Sequence, residues 1–98
     1  MTTRWISDLT LDAVRAESLR AHLKHESSGG SIFSPEMSPL KILAALGEEY
    51  GEVCRLWTYD NNPDPQELVK ELLQLANVAL TWVDNLSGAV EGPEYGTR

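Results

Sequence analysis

Apolar residues recur at helical spacing in three stretches of this chain, and nowhere does the pattern alternate with the period of two that a half-buried strand requires. Leu11, Val14, Ser18 and Ala21 mark the first stripe. Asp8 or Thr10 can cap it, and the helix is expected to reach about His25, where Ser27-Ser28-Gly29-Gly30-Ser31 breaks the pattern. Residues 26–38 read as a loop, and its Ile32, Phe33 and Met37 favour packing over a solvated linker. Ser38-Pro39 opens a second helix as cap and first residue, since proline's missing N–H has no partner there anyway. Ile42, Leu46, Tyr50, Val53 and Trp57 form its apolar face, and it ends near Tyr59, before Asp60-Asn61-Asn62-Pro63. Tyr50 and Trp57, seven residues apart on that face, read as core and not as base-stacking residues. Asp64-Pro65-Gln66-Glu67 starts a third helix, with Glu67 placed to complete a capping box. It runs to about Leu86 and stops at Ser87-Gly88.

The expected fold class is therefore all-α, with three main helices. The third helix sharpens this. Between Leu72 and Val83 its only polar residues are Gln74, Asn77 and Thr81. At about 100° per residue, Glu67, Glu71, Gln74, Asn77 and Thr81 share one stripe, and the rest of the segment wants burial. Three helices cannot cover so wide an apolar face alone, so an oligomeric helical bundle is expected, as a homo-oligomer (dimer or tetramer).

Composition narrows the setting. The 98 residues fit a single domain, residues 1–98, with a core about 9–87 and a loose tail over 88–98. A domain of this size buries only about two-thirds of its unfolded surface, so its core is marginal alone. No apolar run reaches membrane-span length and no signal-peptide core opens the chain, so no membrane partner is expected. One cysteine, Cys54, excludes an internal disulfide and a cysteine zinc site, and a reducing cytoplasmic location is the simplest setting. A formal charge of −7 argues against a nucleic-acid partner, which needs clustered Lys and Arg.

The candidate chemistry lies in the acids. Glu48, Glu49 and Glu52 span an arc of about 100° on the second helix, and like charges at that spacing cost about 0.2–0.5 kcal/mol per pair when exposed. Glu49 sits at the edge of the apolar face, where desolvation adds to that cost. A bound divalent cation would reverse the sign of the effect, and the polar stripe of the third helix would add Glu71 and Gln74. In a chain with 15 acids, a solvated acidic face is the other reading of the same spacing.

Leu46-Gly47-Glu48-Glu49-Tyr50-Gly51-Glu52-Val53, followed by Leu68-Val69-Lys70-Glu71-Leu72-Leu73-Gln74, resembles the MazG-like branch of the all-α nucleoside triphosphate pyrophosphohydrolases. That family's pattern is Glu-x-x-Glu, a spacer, then Glu-x-x-Asp. Glu49, Glu52 and Glu71 match the first three positions, and Gln74 stands where the family carries Asp. Ala21-His22-Leu23-Lys24-His25 and Gly30-Ser31-Ile32 through Ser34-Pro35-Glu36-Met37-Ser38 are similar to the lead-in of small single-domain members, so the likeness covers about residues 10–86. It implies Mg²⁺-dependent (or Mn²⁺-dependent) hydrolysis of a nucleoside triphosphate, NTP or dNTP, to the monophosphate and pyrophosphate, in nucleotide-pool housecleaning. Glu49, Glu52, Glu71 and Gln74 would be metal ligands. Glu48 would be either a further ligand or the base that orients the attacking water. A Gln carbonyl coordinates Mg²⁺ but brings no charge.

Phosphate also needs cations, and Lys24, Lys41, Arg55 and Lys70 are the candidates considered. Lys24 lies in the family-like part of the first helix. Lys70 adjoins Glu71, where pairing with nearby acids in solvent is the competing role. Asn77 on the polar stripe and Trp82 at its border are candidate substrate contacts. His22 and His25 could touch base or ribose, or simply suit a helix end. Cys54 reads as a buried cysteine, and no P-loop sequence occurs. Two other functions stay open, a non-catalytic helical oligomerisation module and a nucleotide-sensing module.

Overall fold

The computed structural model describes residues 5–26, 37–59 and 62–88, and among these it is all-helical, with α1 at Asp8–Glu26, α2 at Pro39–Tyr59 and α3 at Pro65–Ser87. Of the expected loop over 26–38, residues 27–36, with Ile32 and Phe33, lie outside the described residues. So do the tail from 89 onward and the His25 side chain.

Each helix starts where a side-chain oxygen takes an amide that the helix leaves without a partner. At α1 that residue is Ser7, and not Asp8 or Thr10. Its hydroxyl accepts the Thr10 N–H at 3.1 Å and donates to the Thr10 hydroxyl at 3.0 Å. Asp8 falls instead within the first turn, where its charge suits the positive end of the helix dipole. Ser38 caps α2 as expected, its hydroxyl accepting the Leu40 N–H at 3.2 Å and its carbonyl accepting the Ile42 N–H at 3.1 Å. Asp64 caps α3 through the Gln66 N–H at 3.2 Å, with Pro65 at the first position. Gly88 ends α3 with φ 73°, a left-handed conformation that glycine adopts without steric cost.

The middle helix of the layer is α3. Both α1 and α2 pack on it, while the backbones of α1 and α2 stay apart. The assembly is a slab measuring 43 × 42 × 21 Å, about two helix diameters thick. Ala21 of α1, Ile42 of α2 and Val78 of α3 are its buried apolar residues among those described, and no described side chain is fully enclosed.

From Glu71 onward the polar stripe of α3 points inward, while Glu67 in the first turn is exposed. Asn77 is only 3% exposed, Thr81 is buried, and Glu71 and Gln74 are half-buried. The Thr81 hydroxyl donates to Asn77 Oδ1 at 3.2 Å, a buried bond that satisfies both groups in part. The opposite face carries Val69, Leu72, Leu80, Val83 and Leu86, all exposed. A second apolar row, Leu43, Tyr50 and Trp57, recurs every seventh residue along α2 and is exposed too.

The expectation that Tyr50 and Trp57 pack in the core is therefore not met within the chain, where they are 61% and 53% exposed. The inward face of α2 runs through Ile42, Ala45, Leu46, Glu49, Val53 and Leu56. Its centre is Glu49, about 80–100° around the helix from Tyr50 and Trp57. The apolar arc of α2 is wider than one neighbouring helix can cover.

Candidate functional site

The inward face of α2 and the inward stripe of α3 bring Glu49, Glu71 and Gln74 together. With its amide nitrogen turned toward the acids, the orientation that satisfies the hydrogen bonds, Gln74 donates to Glu71 Oε2 at 3.1 Å and to Glu49 Oε2 at 3.2 Å. One neutral amide thus lies between two carboxylates from different helices. The Glu49 carboxyl is raised above the ordinary Glu range. Burial is the largest cause, followed by the charges of Glu71, Glu17, Glu52 and Glu48 in that order.

That order adds a residue the sequence reading lacked. Glu17 of α1 acts on Glu49 more strongly than Glu52 and Glu48, which share Glu49's own helix. Only 12% of the Glu17 side chain is exposed. Glu17 lies one turn from Val14 and from Ala21, on the face that α1 turns toward α3. Its carboxylate accepts two bonds from Arg20, Nε to Oε1 at 3.0 Å and Nη2 to Oε2 at 2.6 Å. Charge-assisted forked bonds of this kind are the stronger sort. Glu17 raises the Arg20 guanidinium's affinity for its proton, chiefly through this hydrogen bond, and Glu49 adds to the effect. A signal for Glu17 was present in the sequence, where it is an acid set inside the stripe Leu11, Val14, Ser18, Ala21.

The other candidates scatter. Glu48 and Glu52 are exposed, and Glu52 faces Arg55 at 3.7 Å. Lys24 and Lys70 are exposed, and the Glu49 charge adds a little to the hold of the Arg20 guanidinium on its proton. Asn77 is buried with its carbonyl engaged by Thr81, in the packed part of the stripe. Trp82 is half-buried at the stripe's border. Cys54 is a half-buried free thiol.

Comparison of the chain with family models, with characterised proteins and with solved structures finds no match.

Hard oxygen donors with surplus negative charge suit Mg²⁺ chemically. Burial and four neighbouring carboxylates make Glu49's charge costly, a cost that a divalent ion would offset. Among the described residues, however, no three of His, Cys, Asp and Glu converge as a ready ligand set. The donor types fit the ion, and the side chains would have to draw together to hold it. Among the described residues, no helix is long and apolar enough to cross a membrane.

Proposed function

We propose that the chain is a Mg²⁺-dependent nucleoside triphosphate pyrophosphohydrolase of the MazG-like kind, working as a homo-oligomer. The observation that carries this reading is the meeting of Glu49 and Glu71, from separate helices, over the Gln74 amide. These are three positions of the Glu-x-x-Glu and Glu-x-x-Gln pairs picked out by spacing. Glu49, Glu52, Glu71 and the Gln74 carbonyl would hold the ion, with Glu48 beside them. Bound there, Mg²⁺ supplies the positive charge that triphosphate oxygens require.

The chain's own residues do the rest. Glu48, exposed at the rim, is either a supporting ligand or the base that orients a water toward phosphorus. Gln74 links Glu49 and Glu71 through its amide nitrogen, and with that amide turned over its carbonyl would be the oxygen offered to an ion. The exposed apolar rows of α2 and α3 support assembly through those faces.

A nucleotide-sensing module is the second reading, and Gln74 favours it, because a neutral amide stands where an acid would strengthen ion binding. One experiment separates the two. The purified protein is incubated with Mg²⁺ or Mn²⁺ and a panel of NTPs and dNTPs, and pyrophosphate and monophosphate are measured. Release of both supports the hydrolase. Thermal stabilisation by nucleotide without release supports the sensor, and neither result would leave an oligomerisation module.

A further inference from the structure

We propose that Arg20 is the phosphate-contacting cation of this site and that Glu17 is the residue that positions it. The proposal rests on the reading of the acids as a triphosphate site, and it assigns the anion-binding wall to α1.

Position comes first. Ala21, four residues after Glu17, is buried, so Glu17 lies on the face that α1 packs against α3. From the other side, α2 presents Glu49 to the same helix. The two acids thus reach α3 from different helices, and Glu17 adds more to the field at Glu49 than either acid on Glu49's own helix.

The form of the pair comes second. Its acid is nearly covered, at 12% side-chain exposure, while its cation is 53% exposed. An ordinary surface ion pair exposes both partners, as Arg15 and Asp12 do at 73% and 68%. Here the carboxylate is the anchor and the guanidinium the reach. Glu17 takes the Nε and Nη2 edge of the fork, and the Nη1 end is not part of the pair. A guanidinium carries five N–H donors, so one held on one edge by a carboxylate can still present donors to a phosphate.

Three of the other cations are placed less well. Arg55 faces Glu52 at 3.7 Å. Lys41 lies eight residues before Glu49, about 12 Å along α2. Lys70 is exposed on α3.

The test uses the full chain with Arg20→Ala, Arg20→Lys, Glu17→Gln and, as a control, Arg15→Ala, each checked for helicity and melting. Two readouts are taken with Mg²⁺: steady-state hydrolysis of an NTP, and binding of inorganic tripolyphosphate followed by thermal shift. Arg20→Ala is expected to raise KM roughly 10- to 100-fold, more than it lowers kcat, and to weaken tripolyphosphate binding similarly. Arg20→Lys should recover part of both losses. Glu17→Gln should give a smaller rise in KM, and Arg15→Ala should change neither readout.

Turnover with KM unchanged in Arg20→Ala overturns this proposal and leaves the hydrolase reading intact. Arg20-dependent tripolyphosphate binding without turnover does the reverse. A wild-type chain that neither binds nor hydrolyses sinks both. If Arg20→Ala does not fold, Arg20→Lys decides, and wild-type values for it on both readouts would overturn the assignment.

Discussion

The two faces of α3 invert the usual arrangement of a small helical domain. Its inner face carries Glu71, Gln74, Asn77 and Thr81, and its outer face carries Val69, Leu72, Leu80, Val83 and Leu86. Polar groups placed inward cost desolvation unless each finds a partner. Apolar groups left outward forgo about 25 cal/mol for every Å² that could be buried. A chain that bears both costs on one helix has a use for each face. On the proposed reading the inner one is a place for charge chemistry, and the outer one is a surface that another copy would cover.

The largest expected effect breaks the outer face. Leu72→Glu combined with Val83→Glu places two charges on a surface that assembly would bury, at a cost of several kcal/mol per ion. Sedimentation should show at least a dimer for the wild type and a monomer, or an unfolded chain, for the variant. A wild type that sediments as a compact monomer at micromolar concentration would remove the outer face from the comparison. The inner face should respond differently. Glu71→Gln is expected to keep helicity and assembly while lowering Mg²⁺-dependent pyrophosphate release by about a hundredfold or more. Retained turnover in Glu71→Gln would show that the inward acids are not the site.

Next in size is the packed end of the inner stripe. Thr81→Val leaves the Asn77 carbonyl buried without the hydroxyl at 3.2 Å, which should cost about 1–3 kcal/mol in urea denaturation. Replacing both, as Asn77→Leu with Thr81→Val, should recover most of that loss, because no polar atom is then stranded. If the double variant is as unstable as the single one, the polar pair is not merely a local hydrogen bond, and the boundary between packing and site moves along the stripe.

The helices were legible because their signals are local. Ser38-Pro39, Asp64-Pro65 and Ser87-Gly88 act on their own backbone, and each marks a helix end in the structure. The Glu49, Glu71 and Gln74 cluster was legible for a related reason, since one helical period on each of two helices aligns them. The spacing of α1 sets Glu17 inside an apolar stripe, but that it lies near Glu49 depends on where α1 packs against α3, which no spacing within α1 encodes. Tyr50 and Trp57 lie on the exposed part of the apolar arc, and periodicity identifies such an arc without saying which part a neighbouring helix covers. The inward part of that arc proved to be centred on Glu49.

The smallest effect concerns Glu49 itself and has a definite sign. Its carboxyl is raised in the folded chain, chiefly by burial and then by Glu71 and Glu17. The folded state therefore holds this proton more tightly than the unfolded state does. The group's contribution to stability falls as pH rises from the unfolded Glu value, about 4.3, through the raised folded value, and it recovers on acidification through the same window. Water still reaches the carboxylate, so screening keeps the effect below about 1 kcal/mol. Glu49→Gln should be slightly more stable than the wild type at neutral pH without Mg²⁺, and the difference should shrink as pH falls toward about 4. Added Mg²⁺ should stabilise the wild type and leave Glu49→Gln nearly unchanged. Parallel pH profiles for the two proteins would mean that Glu49 bears no charge strain, and the inner face of α3 would then be a polar packing surface like the pair formed by Asn77 and Thr81.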